Sequence, residues 1–356
     1  MVDKSPSPAP GASKTASPAS PPPIPETTQT QQDAANIQVD DFDDSDGDSA
    51  LGTDAESSTA SISSSILNYR RENGRTYHSF RDGKYYFPND DKENDRLDFQ
   101  HHQWFLTLNG RLGLAPPTDP DSKGGRVLDV GTGTGIWAID YGDEHPDAHI
   151  IGIDLSPIQP SFTPPNVHFQ IDDIEDEWTF TQPFDYIHIR AMSGAISNWP
   201  ALISKCYENL KPGGWIEIQE PGMPVSDDGT YTKDSAFAQA SQLLYDGLAQ
   251  AGNKLVDVFA LKGWLEEAGF PSVQEKKEYW PSNPWPKDKR LKEIGMWHYT
   301  NMSSGIEGFL MAIATRGLGW SSEGVTVLCA QAKADLADRR IHAYWPVVIA
   351  YAQKPE

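Results

Sequence analysis

From Arg126 onward, short apolar runs alternate with stretches in which apolar residues recur every three or four positions. Val127–Val130, His149–Asp154, Val167–Ile171, Phe184–Arg190 and Trp215–Glu220 read as strands. Most are apolar throughout, the pattern of strands covered on both faces. Helices fit between them. Ile136 to about His145 is stopped by Pro146-Asp147, and Trp199–Leu210 is capped by Asn198, with Pro200 near its first turn. Ser156 to Pro165 carries four prolines and reads as a loop. Lys211-Pro-Gly-Gly214 reads as a sharp turn. Further on, 232–251 and 255–268 read as helices, Val273–Trp280 as a strand, 289–318 and 321–339 as helices, and Ile341–Ala352 as a last strand. Right-handed crossovers put strands so connected into one mostly parallel sheet, which makes the fold class α/β.

Upstream the rhythm differs. Residues 1–60 are mainly Pro, Ser, Thr, Ala and Asp, with eleven acids against two lysines, a net −9. Such a stretch cannot bury enough apolar surface to offset its ordering entropy, so a disordered acidic tail is expected. Asp46-Gly-Asp48 lacks the downstream spacing of a calcium loop. Ser63–Glu72 predicts a serine-capped helix, and an aromatic, charged stretch from Tyr77 to Phe87 follows. Asp90–Leu108 predicts a helix with Leu97, Trp104, Phe105 and Leu108 on roughly one face. The expected division is a tail over 1–60, a helical cap over 61–120 and a main domain over 121–356. Within that domain, 231–340 holds helices that form a substrate wall.

Charge and composition narrow the function. The formal net charge of the 356 residues is −22, which excludes non-specific attraction to nucleic acid. Two cysteines, Cys206 and Cys329, make neither a disulfide framework nor a zinc site. Adjacent His101 and His102 point in different directions on a helix, so they read as core or surface histidines, and no metal site is expected. No apolar run approaches membrane-spanning length and no signal pattern opens the chain. The expectation is an intracellular protein, cytoplasmic or nuclear, with no membrane partner.

The chemistry centres on Asp129-Val-Gly-Thr-Gly-Thr-Gly135. Strand, glycine turn and helix start are the elements that grip a nucleotide-bearing ligand in an α/β sheet. The spacing is G-x-G-x-G, not the dinucleotide G-x-G-x-x-G, so a ligand without a pyrophosphate is expected. Asp129 is placed to face an amino group of that ligand. Asp154 ends the next strand about 20 residues on, where a ribose diol is held. Asp172 and Asp173 end the third strand, where an exocyclic adenine amine would donate to one of them.

These motifs, with Ile153-Asp-Leu-Ser-Pro157 and Asp172-Asp-Ile174, resemble the cofactor motifs of class I S-adenosylmethionine-dependent methyltransferases. Glu72-Asn-Gly-Arg-Thr-Tyr-His78, Asp95-Arg-Leu-Asp98, Lys211-Pro-Gly-Gly-Trp215 and Ile341-His-Ala-Tyr344 narrow the resemblance to the fungal LaeA-like group, from about Ile66 to the C-terminus. It implies a Rossmann-like, seven-stranded sheet with helices on both faces, and an N-terminal helical cap over the cofactor pocket. The implied cofactor is S-adenosyl-L-methionine, held by Asp129, Gly131, Gly133, Gly135, Asp154, Leu155, Asp172, Asp173, Ile174 and Arg190. The implied acceptor is a small molecule or a protein, in secondary-metabolite biosynthesis or its regulation.

Methyl transfer needs alignment more than a fixed catalytic triad. Arg190 shares a strand face with the deeper His188 and is placed to touch a carboxylate; His188 reads as a core histidine. Glu220 either orients a nucleophile or caps a loop. Trp297, His298 and Tyr299 are candidates for the cavity wall, with His298 as the candidate base. Two other readings stand beside the enzyme. One is a regulatory subunit that binds the cofactor and acts through protein partners, to which the acidic tail is suited. The other, a nicotinamide-dependent oxidoreductase, is disfavoured by the glycine spacing and by the paired acids.

Overall fold

The computed structural model describes residues 66–356, so the acidic tail expected over 1–60 lies outside the described residues. The first elements are β1 (Arg70–Glu72) and β2 (Arg75–Tyr77), an antiparallel hairpin. This corrects the helix expected over Ser63–Glu72, as far as its described residues go. Asn73 and Gly74 join the strands with φ of 49° and 74°. Asn-Gly favours such a two-residue turn, whose twist matches paired strands. The helix α1 (Asp91–Thr107) follows, its first turn capped by Asp90, which accepts from the Glu93 N–H at 3.2 Å.

The main sheet comes next, with β3 (Arg126–Val130), α2 (Ile136–Glu144), β4 (His149–Asp154), β5 (Val167–Ile171) and β6 (Phe184–Arg190). Then come α3 (Trp199–Asn209), β7 (Leu210–Pro221), α4 (Ala236–Gln250), α5 (Leu261–Glu267) and β8 (Val273–Pro281). The chain closes with α6 (Lys289–Ala312), α7 (Ser322–Ala337) and β9 (Tyr344–Gln353). The seven strands lie in the order β5-β4-β3-β6-β7-β9-β8. All neighbouring pairs are parallel except those of β9, which runs antiparallel to both neighbours. The sheet is Rossmann-like, seven-stranded and mostly parallel. Its order reverses between β3 and β6, where α/β sheets open a crevice for a ligand.

Alternation along the strands sorts the core. Leu128, Val130, Ile187 and Ile189 pack with α3 and α5 on one face. Val127, Ile150 and Tyr186 pack with Trp137, Ala138 and Tyr141 of α2 on the other. Beside them, Trp104 of α1 and Leu108 at its C-terminal cap join α4, α6 and α7 against Val347 and Ile349. By the same alternation Asp129, His188 and Arg190 point toward α2 and α1. Glu217 of β7 is fully buried there and accepts the backbone N–H groups of Leu114 and Ala115, at 2.9 and 2.7 Å. That carboxylate fastens the segment joining the cap to the sheet.

Candidate active site

A cavity lies over the C-terminal ends of β3, β4, β5 and β6, roofed by α1 and the 84–89 strap. The glycine turn forms its floor. Gly131, Gly133 and Gly135 all have positive φ, at 68°, 57° and 83°. The turn is crowded at two of the three. A Cβ on Gly131 would stand 2.0 Å from the Met192 sulfur, and one on Gly135 would stand 2.3 Å from the Phe169 ring. At Gly133 it would meet only Leu97, at 3.4 Å, on the open cavity side. Glycine here lets a ligand lie directly on the backbone.

Asp154 is tied to that turn. Its Oδ2 accepts the Gly133 N–H and its Oδ1 the Ser156 N–H, both at 2.9 Å. Each oxygen keeps a lone pair. Burial pushes its carboxyl up to about 6, against the pull of those two N–H groups. Leu155 and Ile174 also line the cavity.

Asp173 and Asp172 separate cleanly. Asp173 is buried and Asp172 is exposed, with its Oδ1 accepting the Asp173 N–H at 2.8 Å. The buried carboxylate is not free: the Lys84 ammonium of the strap sits on both its oxygens and reaches Glu175 at 3.3 Å. Sequence reasoning missed Lys84, because nothing local links a strap lysine to a strand end 89 residues away.

Asp129 is 3% exposed, and both its oxygens are engaged. Thr132 Oγ1 donates to Oδ2 at 2.5 Å, and His188 Nδ1 lies 2.7 Å from Oδ1. The carboxylate accepts, so His188 carries its proton on Nδ1. Burial holds that imidazole down at about 4, against the favourable pull of Asp129. Its ring stacks on Trp137 at 3.7 Å and 7°. His188 Nε2 and Trp104 Nε1, both on residues lining the cavity, are buried with no hydrogen-bond partner.

Arg190 is clamped by three acceptors. Nε donates to Gln219 at 2.8 Å, one terminal nitrogen to the Leu112 carbonyl at 2.9 Å, and the other to His101 Nδ1 at 3.1 Å. A guanidinium only donates, so His101 carries its proton on Nε2 and gives it to Asp140 Oδ2 at 2.9 Å. Burial, then the Arg190 charge, holds His101 below its ordinary range. His101 is thus part of the cavity wall, contrary to its reading as a bland histidine. The doublet in the sequence carried no sign of a partner on β6.

Two catalytic candidates fall elsewhere. Glu220 accepts the N–H groups of Met192 and Ser193, at 2.6 and 3.1 Å, and does not line the cavity. It caps the loop in which Ala191 holds a φ of 52°. His298 does not line the cavity either. It is buried edge-on to Trp345 at 4.3 Å, with Gln103 donating to its Nδ1 at 3.0 Å. It is a core residue of the α1–α6 packing, and burial holds it down at about 3, the wrong direction for a base. Trp297 and Tyr299 are also absent from the lining, and no lining residue comes from 231–340. The helices expected to form a substrate wall therefore do not line this cavity; α6 packs against α1, and the cavity is roofed by α1 and the 84–89 strap.

Sheet order, glycine turn and acidic strand ends define a Rossmann-like methyltransferase. A family model described as a methyltransferase domain matches residues 101–275. Methyltransferase pytC of Aspergillus terreus is 44% identical over 308 residues, covering 86% of this chain and 94% of that protein. The secondary metabolism regulator LAE1 of Cochliobolus heterostrophus is 38% identical, covering 80% and 94%. The probable methyltransferase tdiE of Emericella nidulans is 33% identical, covering 74% and 83%. The chain belongs to the LaeA-like methyltransferase family that these relatives represent.

Proposed function

We propose that the chain binds S-adenosyl-L-methionine in this cavity and transfers its methyl group to a small-molecule or protein acceptor in fungal secondary metabolism. One observation carries the reading: Gly133, Asp154 and Asp173, from three neighbouring strand ends, converge on one cavity. The open face at Gly133 and the orphaned Trp104 and His188 nitrogens leave polar groups for a ligand to satisfy. Asp154 takes the ribose hydroxyls on its remaining lone pairs. Asp173, with Lys84 beside it, faces the adenine amine, and Leu155 and Ile174 flank the base. Asp129 faces the amino group, and Arg190, with donors to spare, faces the carboxylate. When bound, the sulfonium supplies an activated methyl group. The protein aligns it and keeps the site dry.

A second reading has its own support, since LAE1 and its namesakes are called regulators. In it the chain holds the cofactor and acts through protein partners, cytoplasmic or nuclear. No helix among the described residues is long and apolar enough to cross a membrane. Turnover separates the two. The full chain is given methyl-labelled S-adenosylmethionine with a fungal small-molecule extract, or with a fungal protein lysate. Label appearing on an acceptor supports the enzyme. Label that stays on a bound donor in both favours the regulator.

A further inference from the structure

The first turn of α1 presents a carboxylate that the cofactor reading does not use. Glu93 lines the cavity with its side chain only 4% exposed. Its Oε1 accepts twice from Arg96, at 3.0 and 2.7 Å. Its Oε2 accepts none of the hydrogen bonds found among the described residues. That oxygen is not fully buried like the Trp104 and His188 nitrogens; it is reachable from the cavity that Glu93 lines, where a ligand can meet it. Its position is rigid. Arg96 also donates to Asn301 at 2.7 Å, Asn301 to Gln103 at 3.3 Å, and Gln103 to His298 at 3.0 Å, in a buried chain running into the α1–α6 core. Tyr85 lines the same cavity, and its hydroxyl makes none of the hydrogen bonds found among the described residues. Burial pushes that phenol up, and the charge of Glu93 adds to the rise, with Asp154 contributing less. Tyr85, Glu93 and Asp154 all line this one cavity.

We propose that Glu93 is the acceptor-binding carboxylate: Oε2 takes the N–H or O–H of a nitrogen or oxygen nucleophile, with the Tyr85 hydroxyl as a second contact. The inference rests on the sulfonium reading above. In the step, the nucleophile's lone pair forms the new bond to the methyl carbon. The carbon–sulfur bond breaks and its electron pair stays on sulfur, turning the sulfonium donor into a thioether. The nucleophile's proton passes to Glu93 Oε2, beside the fixed Arg96 cation. The acceptor class is thus an amine, amide or hydroxyl compound rather than a carbon nucleophile.

The test reads binding. The full chain, isotope-labelled and saturated with S-adenosylhomocysteine, is titrated with 4-methylphenol and with 1,4-dimethylbenzene. The Trp104 and Trp137 indole N–H signals report on each. The probes match in shape and differ by one O–H. The phenol is expected to bind about tenfold more tightly, the worth of one hydrogen bond to a charged group. Glu93→Gln should cut that advantage to about threefold or less, with S-adenosylhomocysteine affinity unchanged. Tyr85→Phe should reduce it more modestly, and decides the matter if Glu93→Gln unfolds. Equal affinities, binding of neither probe, or an advantage untouched by the variants overturns the proposal. So does a Glu93→Gln variant that loses S-adenosylhomocysteine. A folded wild type that never holds S-adenosylhomocysteine overturns the cofactor reading instead.

Discussion

The Asp154 carboxylate, at the end of β4, accepts the backbone N–H of Gly133, in the turn that follows β3, at 2.9 Å. One residue therefore shapes the floor of the cavity and keeps a free lone pair above it. Since burial raises Asp154 to about 6, cofactor affinity should fall as pH drops through that value. The protonated acid presents one acceptor oxygen fewer to a diol. Asp154→Ala should weaken binding about a hundredfold at pH 7.5, the worth of two charge-assisted hydrogen bonds. Calorimetry from pH 5 to 8 checks both; a pH-independent affinity would contradict the assignment.

Gly133 and Gly135 should separate binding from stability. Gly135→Ala forces a Cβ to within 2.3 Å of the Phe169 ring at a φ of 83°. It should cost about 1–3 kcal/mol of stability, read as a lower melting temperature. Gly133→Ala meets only Leu97 at 3.4 Å, so its cost in stability is about 1 kcal/mol, while its methyl group obstructs the ligand. Its affinity should drop at least tenfold with melting little changed. The reverse pattern would move the binding surface away from Gly133.

Glu220 gives a pH signature of folding. Burial pushes its carboxyl up to about 8, from 4.5 in the unfolded chain. Between those values the unfolded chain is ionised and the folded one is not, so rising pH favours unfolding. Its contribution is complete below pH 4.5 and is lost on the way to about 8, by up to about 1.4 kcal/mol per pH unit. Glu220→Gln should flatten that part of the melting-temperature profile. Parallel profiles for the two proteins would show that Glu220 ionises freely in the fold.

Arg190 and His101 form a coupled pair, the imidazole accepting from the guanidinium at 3.1 Å. Arg190→Met removes a buried cation that helps hold His101 unprotonated. The His101 ring should then titrate higher in a proton-resonance titration. Cofactor affinity should fall with it. An unmoved His101 titration would mean that burial alone sets its state.

The sheet was legible because its strands are covered on both faces and so read as apolar runs bounded by turn residues. Asp154 and the glycine turn were legible because both are local to those strands. What failed lay in longer-range contacts or in two-way signals. Asn73-Gly74 marked a hairpin, yet the flanking serines and charges read as a helix start. By contrast, Lys211-Pro-Gly-Gly214 was legible as a turn: with Gly213 at a φ of 74°, these residues bulge out between Leu210, paired with Phe184, and Trp215, paired with Tyr186. His298 among aromatics looks the same from sequence whether its helix faces a cavity or a core. Lys84, Glu93 and His101 reach the site from a cap whose distance along the chain says nothing of where it docks.

Calorimetric titration of the full chain with S-adenosylmethionine and, separately, with NADH tests the central claim most directly, with Asp154→Ala and Gly133→Val as controls. Micromolar binding of the sulfonium compound, lost in both variants, with no binding of NADH, is the expected result. A folded, monodisperse sample that ignores the sulfonium compound, or that takes NADH instead, would contradict it.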